Sequence, residues 1–199
     1  MNPEAVKAEA APLVTAWESE PHHTIHVARL AVTLFDGFVH RHGLGEEDRL
    51  LLEIAGVLHD IGWSRTHPDG KGHHKVSARM IREHPWTSLT WRQTEIVAET
   101  ARYHRKSLPS EEHPDFKGLT EDDQQRVAWL SAFLRIGDGL DRRHIQRVQE
   151  VEVRDLGDGC RITAHSTWEA EPELAAAKKK ADLLEKLIRC ETVFAGTAK

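Results

Sequence analysis

The apolar residues along most of this chain recur with the spacing of amphipathic helices. Apolar positions three, four and seven residues apart fall on one face of a helix, and this spacing dominates up to residue 141. Glycines, prolines and short polar runs interrupt it, as expected between helices. The pattern predicts helices over about 4–17, 24–42, 46–59, 73–83 and 91–104, and a further one that starts at Thr120.

The pattern changes after Asp141. Residues 148–153 alternate between apolar and polar, and a glycine-rich turn leads to a second short alternating run that ends at His165. Two such runs around a turn predict a β-hairpin, with Gly157, Asp158 and Gly159 at the turn. The range 172–193 is rich in Ala, Lys, Leu and Glu and predicts a long final helix, on which the three lysines 178–180 form a solvated face.

These elements predict a mainly α fold. A length of 199 residues suits one domain with a small appendage, and 39% apolar residues are enough for a core. We expect residues 1–147 to form a helical core. Residues 148–199 are expected to form the hairpin and the final helix, packed on that core.

Composition restricts the classes of protein and the cellular compartment that we expect for this chain. No apolar run approaches the length of a membrane span, and the first residues lack the order of a signal peptide. Two cysteines, Cys160 and Cys190, are too few for a disulfide scaffold. The net charge of −5 argues against a protein that coats nucleic acid. We expect a cytoplasmic protein without a membrane or nucleic-acid partner.

The most informative segment is the apolar stretch 51–62, which ends in His59 and Asp60. On a helix, His59 shares a face with Leu52 and Ala55. A carboxylate beside so much apolar surface is costly unless a cation or hydrogen-bond donors accompany it. Asp138 is in a similar situation, because it lies on the apolar face of the predicted helix that starts at Thr120.

Three further histidines occupy apolar faces of their own helices: His23, His73 and His104. Taken singly, each is more typical of a hydrogen-bonded core histidine than of a metal ligand. Together with the His59-Asp60 pair and Asp138 they form the ligand set of manganese, iron, zinc or magnesium. The absence of thiolates from the set disfavours a closed structural zinc site. His74 has a face comparable to that of His73, so both remain candidates.

At these positions the chain resembles a known family. The order His23, His59-Asp60, Asp138 is that of the HD superfamily of metal-dependent phosphohydrolases. The segments 72–77, 101–109 and 134–142 are similar to the HD domain of the exopolyphosphatase/guanosine pentaphosphatase family. This similarity covers most of the chain from about residue 22.

The resemblance implies an HD helical bundle that binds one or two divalent ions. It implies that a first metal is held by His23, His59, Asp60 and Asp138, and a second one with the help of His73 and His104. In that family the HD domain follows a pair of actin-like domains that carry the polyphosphatase site. The 199 residues contain no counterpart of that pair, so polyphosphatase activity is not part of the expectation.

The chemistry expected of such a site is hydrolysis of a small phosphorylated molecule, such as a nucleotide, a cyclic nucleotide or an alarmone. A divalent metal lowers the pKa of bound water and supplies hydroxide at neutral pH. Asp60 is expected to bridge two metals. Lys75 and Arg105, each next to a predicted ligand, are expected to bind the phosphoryl group.

Two other functions remain open. The chain is alternatively a regulatory module that binds a ligand or a protein without catalysis, or, third, a di-iron oxygenase of the HD type. A homodimer through the last helix or through exposed tryptophans also remains open. The sequence does not assign the substrate.

Overall fold

Helices dominate the part of the chain that this computed structural model describes, namely residues 1–157, 159–166 and 168–198, so the predicted mainly α class is confirmed. The helices are α1 Pro3–Trp17, α2 Pro21–Gly37, α3 Val39–His42, α4 Glu46–Leu58, α5 His73–Glu83, α6 Trp91–Arg102, α7 Pro114–Lys117, α8 Glu121–Leu140, α9 Glu171–Lys180 and α10 Asp182–Ile188. A 3-10 turn, Ile61–Arg65, follows α4.

Helix α2 lies at the centre of the molecule and packs against both α4 and α8. Its fully buried side chains include Val27, Leu30 and Leu34, the face that the apolar spacing predicts. Phe133 of α8 is also fully buried, and its ring lies 5.8 Å from that of Phe38. Because the three helices share one core, the positions of their ends relative to one another are fixed.

Two predicted helix boundaries differ from the observed ones. The second predicted helix begins earlier, at Pro21, because proline is well suited to the first helical position. It is also divided at Phe38, whose backbone leaves the helical region, and a separate short helix continues to His42. Helix α8 begins as predicted, where the Thr120 hydroxyl accepts a hydrogen bond from the backbone N–H of Asp123 at 3.2 Å.

The predicted hairpin is present as strands β1, Val148–Asp155, and β2, Gly159–Ser166, which pair antiparallel. A third strand, β3, Glu191–Ala198, pairs parallel with β2, so that the strand order is β1-β2-β3. Asp158 of the predicted turn lies outside the described residues.

The single long final helix was a wrong prediction. The range is divided at Ala181 into α9 and α10, and its last residues belong to β3. Helical propensity favours the Ala-Lys-Leu stretch, but Arg189 adopts a left-handed conformation that ends α10. Thr192 then donates from its backbone N–H and its hydroxyl to Glu185, at 2.8 and 2.6 Å, and turns the chain into the sheet. Strand pairing with β2 therefore overrides local propensity here.

Within the described ranges, no helix has both the length and the apolar character needed to span a bilayer.

The close packing of α2 on α4 makes a stability prediction. A Cβ atom added at Gly56 would lie 2.6 Å from the Cβ of Ala28 and 2.7 Å from its Cα. We expect Gly56→Ala to lower the free energy of unfolding by about 1–2 kcal/mol, because overpacking outweighs the gain in helix propensity. Urea denaturation measures this change.

Gly118→Ala is the matched control. A Cβ atom at Gly118 would meet its nearest neighbour, the Asp115 carbonyl oxygen, at an ordinary 3.5 Å. This variant should change the free energy of unfolding by less than about 0.5 kcal/mol. Equal effects of the two substitutions would contradict the packing argument.

Candidate metal centre

The structure brings the six predicted ligands together from five separate segments of the chain. Asp60 lies at their centre: its Oδ1 is 3.1 Å from Nε2 of His73 and 3.5 Å from Nε2 of His104, and its Oδ2 is 3.5 Å from Nε2 of His59. On the other side of the site, Asp138 Oδ1 lies 3.7 Å from Nε2 of His23.

Two compact groups within this cluster could each hold a metal ion. One consists of His23, His59 and Asp138, and the other of His59, Asp60 and His104, with the ligand atoms of each group within 4.8 Å of one another. His59 belongs to both groups. His73 falls outside both, although its Nε2 faces Asp60.

The backbone fixes the orientation of three of the histidine rings. In each case the Nδ1–H donates to the carbonyl oxygen three residues earlier, and Nε2 is left with its lone pair toward the site. These hydrogen bonds join His59 to Gly56 at 2.6 Å, His73 to Gly70 at 2.8 Å and His104 to Ala101 at 2.7 Å.

His23 is oriented instead by a carboxylate that sequence reasoning missed. Its Nδ1 lies 2.8 Å from Oδ2 of Asp141, which is completely buried and also accepts a hydrogen bond from the backbone N–H of Gln146 at 2.7 Å. A carboxylate that holds a ligating histidine is a common partner in metal sites. The only signal for it in the sequence is its position three residues after Asp138.

Three ligand atoms of the cluster are buried and have no hydrogen-bond partner among the residues that the structure describes: Nε2 of His23, Nε2 of His59 and Oδ1 of Asp60. An orphaned buried polar atom is costly, and three of them in one cluster indicate that partners are missing there. Nitrogen and oxygen donors together suit a divalent cation of the manganese, iron or zinc type. The residues present therefore fit a metal ion.

The charge states also suit a cation. Burial raises the pKa of Asp60, but the neighbouring imidazoles of His59, His73 and His104 outweigh it, and the pKa lies well below its ordinary value. Burial, followed by the neighbouring His59, lowers the pKa of His104 far below 6.5, which leaves this ring neutral. An ionised carboxylate and a neutral imidazole are the forms that ligate metals.

His23 shows the opposite shift. Burial lowers its pKa, but the nearby Asp138 carboxylate and the hydrogen bond with Asp141 more than compensate and raise the pKa to about 9. In the absence of a metal this ring therefore carries a proton between two carboxylates. A metal ion held by His23 would supply a positive charge in place of that proton.

Of the two adjacent histidine candidates, His73 is the one that faces the cluster. It is 1% exposed, whereas His74 is only half-buried and lines a small second cavity together with Lys75 and Arg102. Burial, followed by the neighbouring His73, lowers the pKa of His74 to about 4.

A cleft of about 560 Å³ opens onto the cluster, with Asp60, His104 and Asp138 in its wall. Helices α9 and α10 contribute to this cleft, so the site uses residues from both segments of the predicted two-part organisation. The cleft is basic. Its cationic side chains are Arg105, Lys106, Arg135, Arg142, Lys179 and Lys180.

The lysine run 178–180 is not simply the solvated face that its composition predicts. Lys179 and Lys180 both line the cleft, and the Lys180 ammonium contacts Oδ2 of Asp138. Lys75, predicted to act on phosphate, is exposed and does not line the cleft, whereas Arg105 lines it with Nη1 3.4 Å from Nε2 of His73.

Aromatic rings cover two of the histidines from the cleft side. His144, which no sequence signal singled out, stacks on His23 with ring centroids 3.6 Å apart and interacts with Glu20. Trp63 stacks on His73 at 4.5 Å and also lines the cleft. These contacts restrict the two rings to their observed orientations.

Comparison with known families identifies the chain. Residues 8–184 match the Ppx/GppA phosphatase family, domain III. The chain belongs to this family. A search of curated proteins gives no significant match. The predicted relation to the exopolyphosphatase/guanosine pentaphosphatase family is thus confirmed, and the part of the Ppx/GppA family that it matches is domain III.

The Ppx/GppA match spans the whole candidate metal centre, from His23 to Asp138, and also includes Lys180 of α9. It supports a relation to phosphatases. Assignment of the six residues as ligands rests on the geometry and remains a prediction.

Asp141 provides a test of the cluster that leaves every predicted ligand in place. We expect Asp141→Asn to weaken Mn²⁺ binding roughly 10- to 100-fold, because His23 loses the carboxylate that orients it and raises its basicity. Isothermal titration calorimetry measures this affinity. The control is Asp122→Asn, an exposed carboxylate in the first turn of α8. Equal affinities for the two variants would show that Asp141 has no such role.

Proposed function

We propose that this Ppx/GppA domain III protein is an HD-type, metal-dependent phosphohydrolase that acts on a small phosphorylated molecule. One observation supports this most strongly. Three buried ligand atoms, which have no hydrogen-bond partner in the described part of the chain, belong to a cluster that opens onto a cleft lined by basic side chains. The cluster suits a cation, and the cleft suits the anion on which the cation would act.

The two compact groups define which residues would hold the metal. His23, His59 and Asp138 are the proposed ligands of one ion, and Asp60 and His104, with His59 or His73, those of a second. Asp60 directs one oxygen toward His104 and the other toward His59, which belongs to both groups, and this suits a bridging ligand. When bound, a divalent cation supplies a water of lowered pKa as the nucleophile.

The protein's own side chains would bind the phosphoryl group. Arg105 lies at the edge of the ligand cluster, and its planar guanidinium can donate two hydrogen bonds to phosphate oxygens. Arg142 and Lys179 have no ion pair among the described residues and add positive charge farther along the cleft. A catalytic role for Lys75 remains a prediction, but the geometry favours Arg105.

The site does not distinguish among a nucleotide, a cyclic nucleotide and an alarmone, so the substrate is sought with a panel of phosphoesters. Protein loaded with manganese, iron or cobalt should release phosphate or a nucleotide product from a member of this panel. Colorimetric phosphate detection and chromatography of nucleotides are suitable measurements.

We expect His59→Ala and Asp60→Ala to abolish both metal content and hydrolysis, because these residues lie at the centre of the two proposed ion sites. Elemental analysis of untreated protein gives the metal content, and the panel assay gives the activity. The matched control is His67→Ala, whose side chain is 79% exposed and lies outside the cluster. This control should retain both metal and activity.

Other outcomes would support other functions. Bound metal without turnover of any phosphoester would contradict the proposal. Protein that is purified without metal and whose Asp60→Ala variant still binds its ligand would instead be a regulatory module. Iron content with oxygen consumption and an organic co-substrate would indicate a di-iron oxygenase.

A second pair of variants separates the two basic residues. We expect Arg105→Met to lower kcat/KM roughly 10- to 100-fold, as for the loss of hydrogen bonds between charged groups, whereas Lys75→Met should change it little. Steady-state kinetics on the best substrate of the panel measures both. The reverse order of effects would assign the phosphoryl contact to Lys75.

A further inference from the structure

The last residue of α9 reaches into the metal centre. The Lys180 ammonium contacts Oδ2 of Asp138, while Oδ1 of the same carboxylate faces Nε2 of His23. Burial raises the pKa of Asp138, but the charge of Lys180, the largest opposing influence, and the nearby ring of His23 hold it well below its ordinary value. In this state Lys180 balances the charge of one of the two acidic ligands.

A close approach of two helices places Lys180 there. A Cβ atom at Gly139 of α8 would lie only 2.8 Å from the backbone N and Cα of Ala177 in α9, so only glycine allows this separation. Ala177 and Lys180 are three residues apart and share a helix face. Gly139 directly follows Asp138, and the contact between the helices therefore brings Lys180 over that carboxylate.

The two neighbouring lysines are arranged differently. Lys178 donates to Glu185 at 2.8 Å and to the Thr192 carbonyl at 2.7 Å. These hydrogen bonds connect α9 to α10 and β3. Lys179 lines the cleft and has no ion pair among the described residues. Lys180 alone of the three contacts a predicted ligand.

We propose that Lys180 couples cation binding to anion binding. It pairs with Asp138 while no metal is bound, and it turns to an anion in the cleft when a metal takes over the charge of that carboxylate. This inference rests on the metal site proposed above and adds a role that the site itself does not require.

Three physical arguments support the coupling. Two cations that share one carboxylate repel each other, so a metal ion bound to Asp138 weakens the ion pair between this carboxylate and Lys180. The lysine ammonium is a compact charge on a flexible four-carbon stem, which allows it to change partners without backbone movement. Lys180 also lines the basic cleft beside Asp138, where an anion bound near the metal is within its reach.

Thermodynamic linkage makes the coupling reciprocal. If a metal releases Lys180 for an anion, the anion must strengthen metal binding by the same factor. Removal of the Lys180 charge should therefore have two effects. The metal should bind more tightly when no anion is present, because no lysine competes for Asp138. The metal and the anion should also strengthen each other's binding by a smaller factor.

Isothermal titration calorimetry with Mn²⁺ and inorganic phosphate, separately and together, tests this in the full chain. We expect Lys180→Met to bind Mn²⁺ at least about 5-fold more tightly than the unaltered protein when phosphate is absent. The factor by which phosphate strengthens Mn²⁺ binding should fall by a similar amount. Lys180→Arg, which keeps the charge, should retain much of the coupling.

Lys179→Met is the matched control, because it removes a charge from the same helix and cleft without touching Asp138. It should weaken phosphate binding but leave the affinity for Mn²⁺ alone and the coupling factor unchanged. Circular dichroism confirms that each variant is folded.

The proposal is overturned if Lys180→Met binds Mn²⁺ no more tightly than the unaltered protein and the coupling factor is unchanged. Such a result, with Mn²⁺ still bound by the unaltered protein, would leave the metal site and the proposed hydrolase function intact. Failure of the unaltered protein to bind Mn²⁺ would contradict both proposals.

Discussion

The burial of polar ligand atoms at the end of an apolar helix is the constraint on which the rest of the site depends. His59 and Asp60 follow a helix whose side chains fill the core, and an isolated charge there would be strongly destabilising. The chain meets this cost by bringing the ends of four other segments to the same point. Hydrogen bonds to backbone carbonyls and to Asp141 then hold the imidazole rings in fixed orientations.

The core arrangement and the site are therefore not separable. Helix α2 packs on α4 and α8 at once, and this packing fixes His23 relative to both His59 and Asp138. Gly56 permits a close contact of α4 with α2, and Gly139 permits one of α8 with α9. A loosening of either contact would change distances between ligand atoms as well as stability.

The C-terminal segment shows that an appendage can become part of a site. Residues of α9 and α10 complete the cleft wall, and Lys180 contacts a predicted ligand directly. Without α9 and α10, the cleft would lack the part of its wall that these two helices form. Because Arg135 of α8 also pairs with Asp182 of α10 at 2.9 Å, the charges of the cleft are shared between the two segments.

The sequence by itself determined the helical character, the hairpin and the six candidate ligands, because apolar periodicity places His23, His59 and Asp138 on inward faces whatever their partners are. Only the tertiary structure decided what depends on residues far apart in the chain. Asp141 was recognisable as the partner of His23 only once α2 and α8 were in contact. In the same way, the end of the predicted final helix forms β3 because it pairs with β2. Lys180, predicted to be solvated, contacts Asp138 instead. In both cases long-range contacts outweigh local propensity.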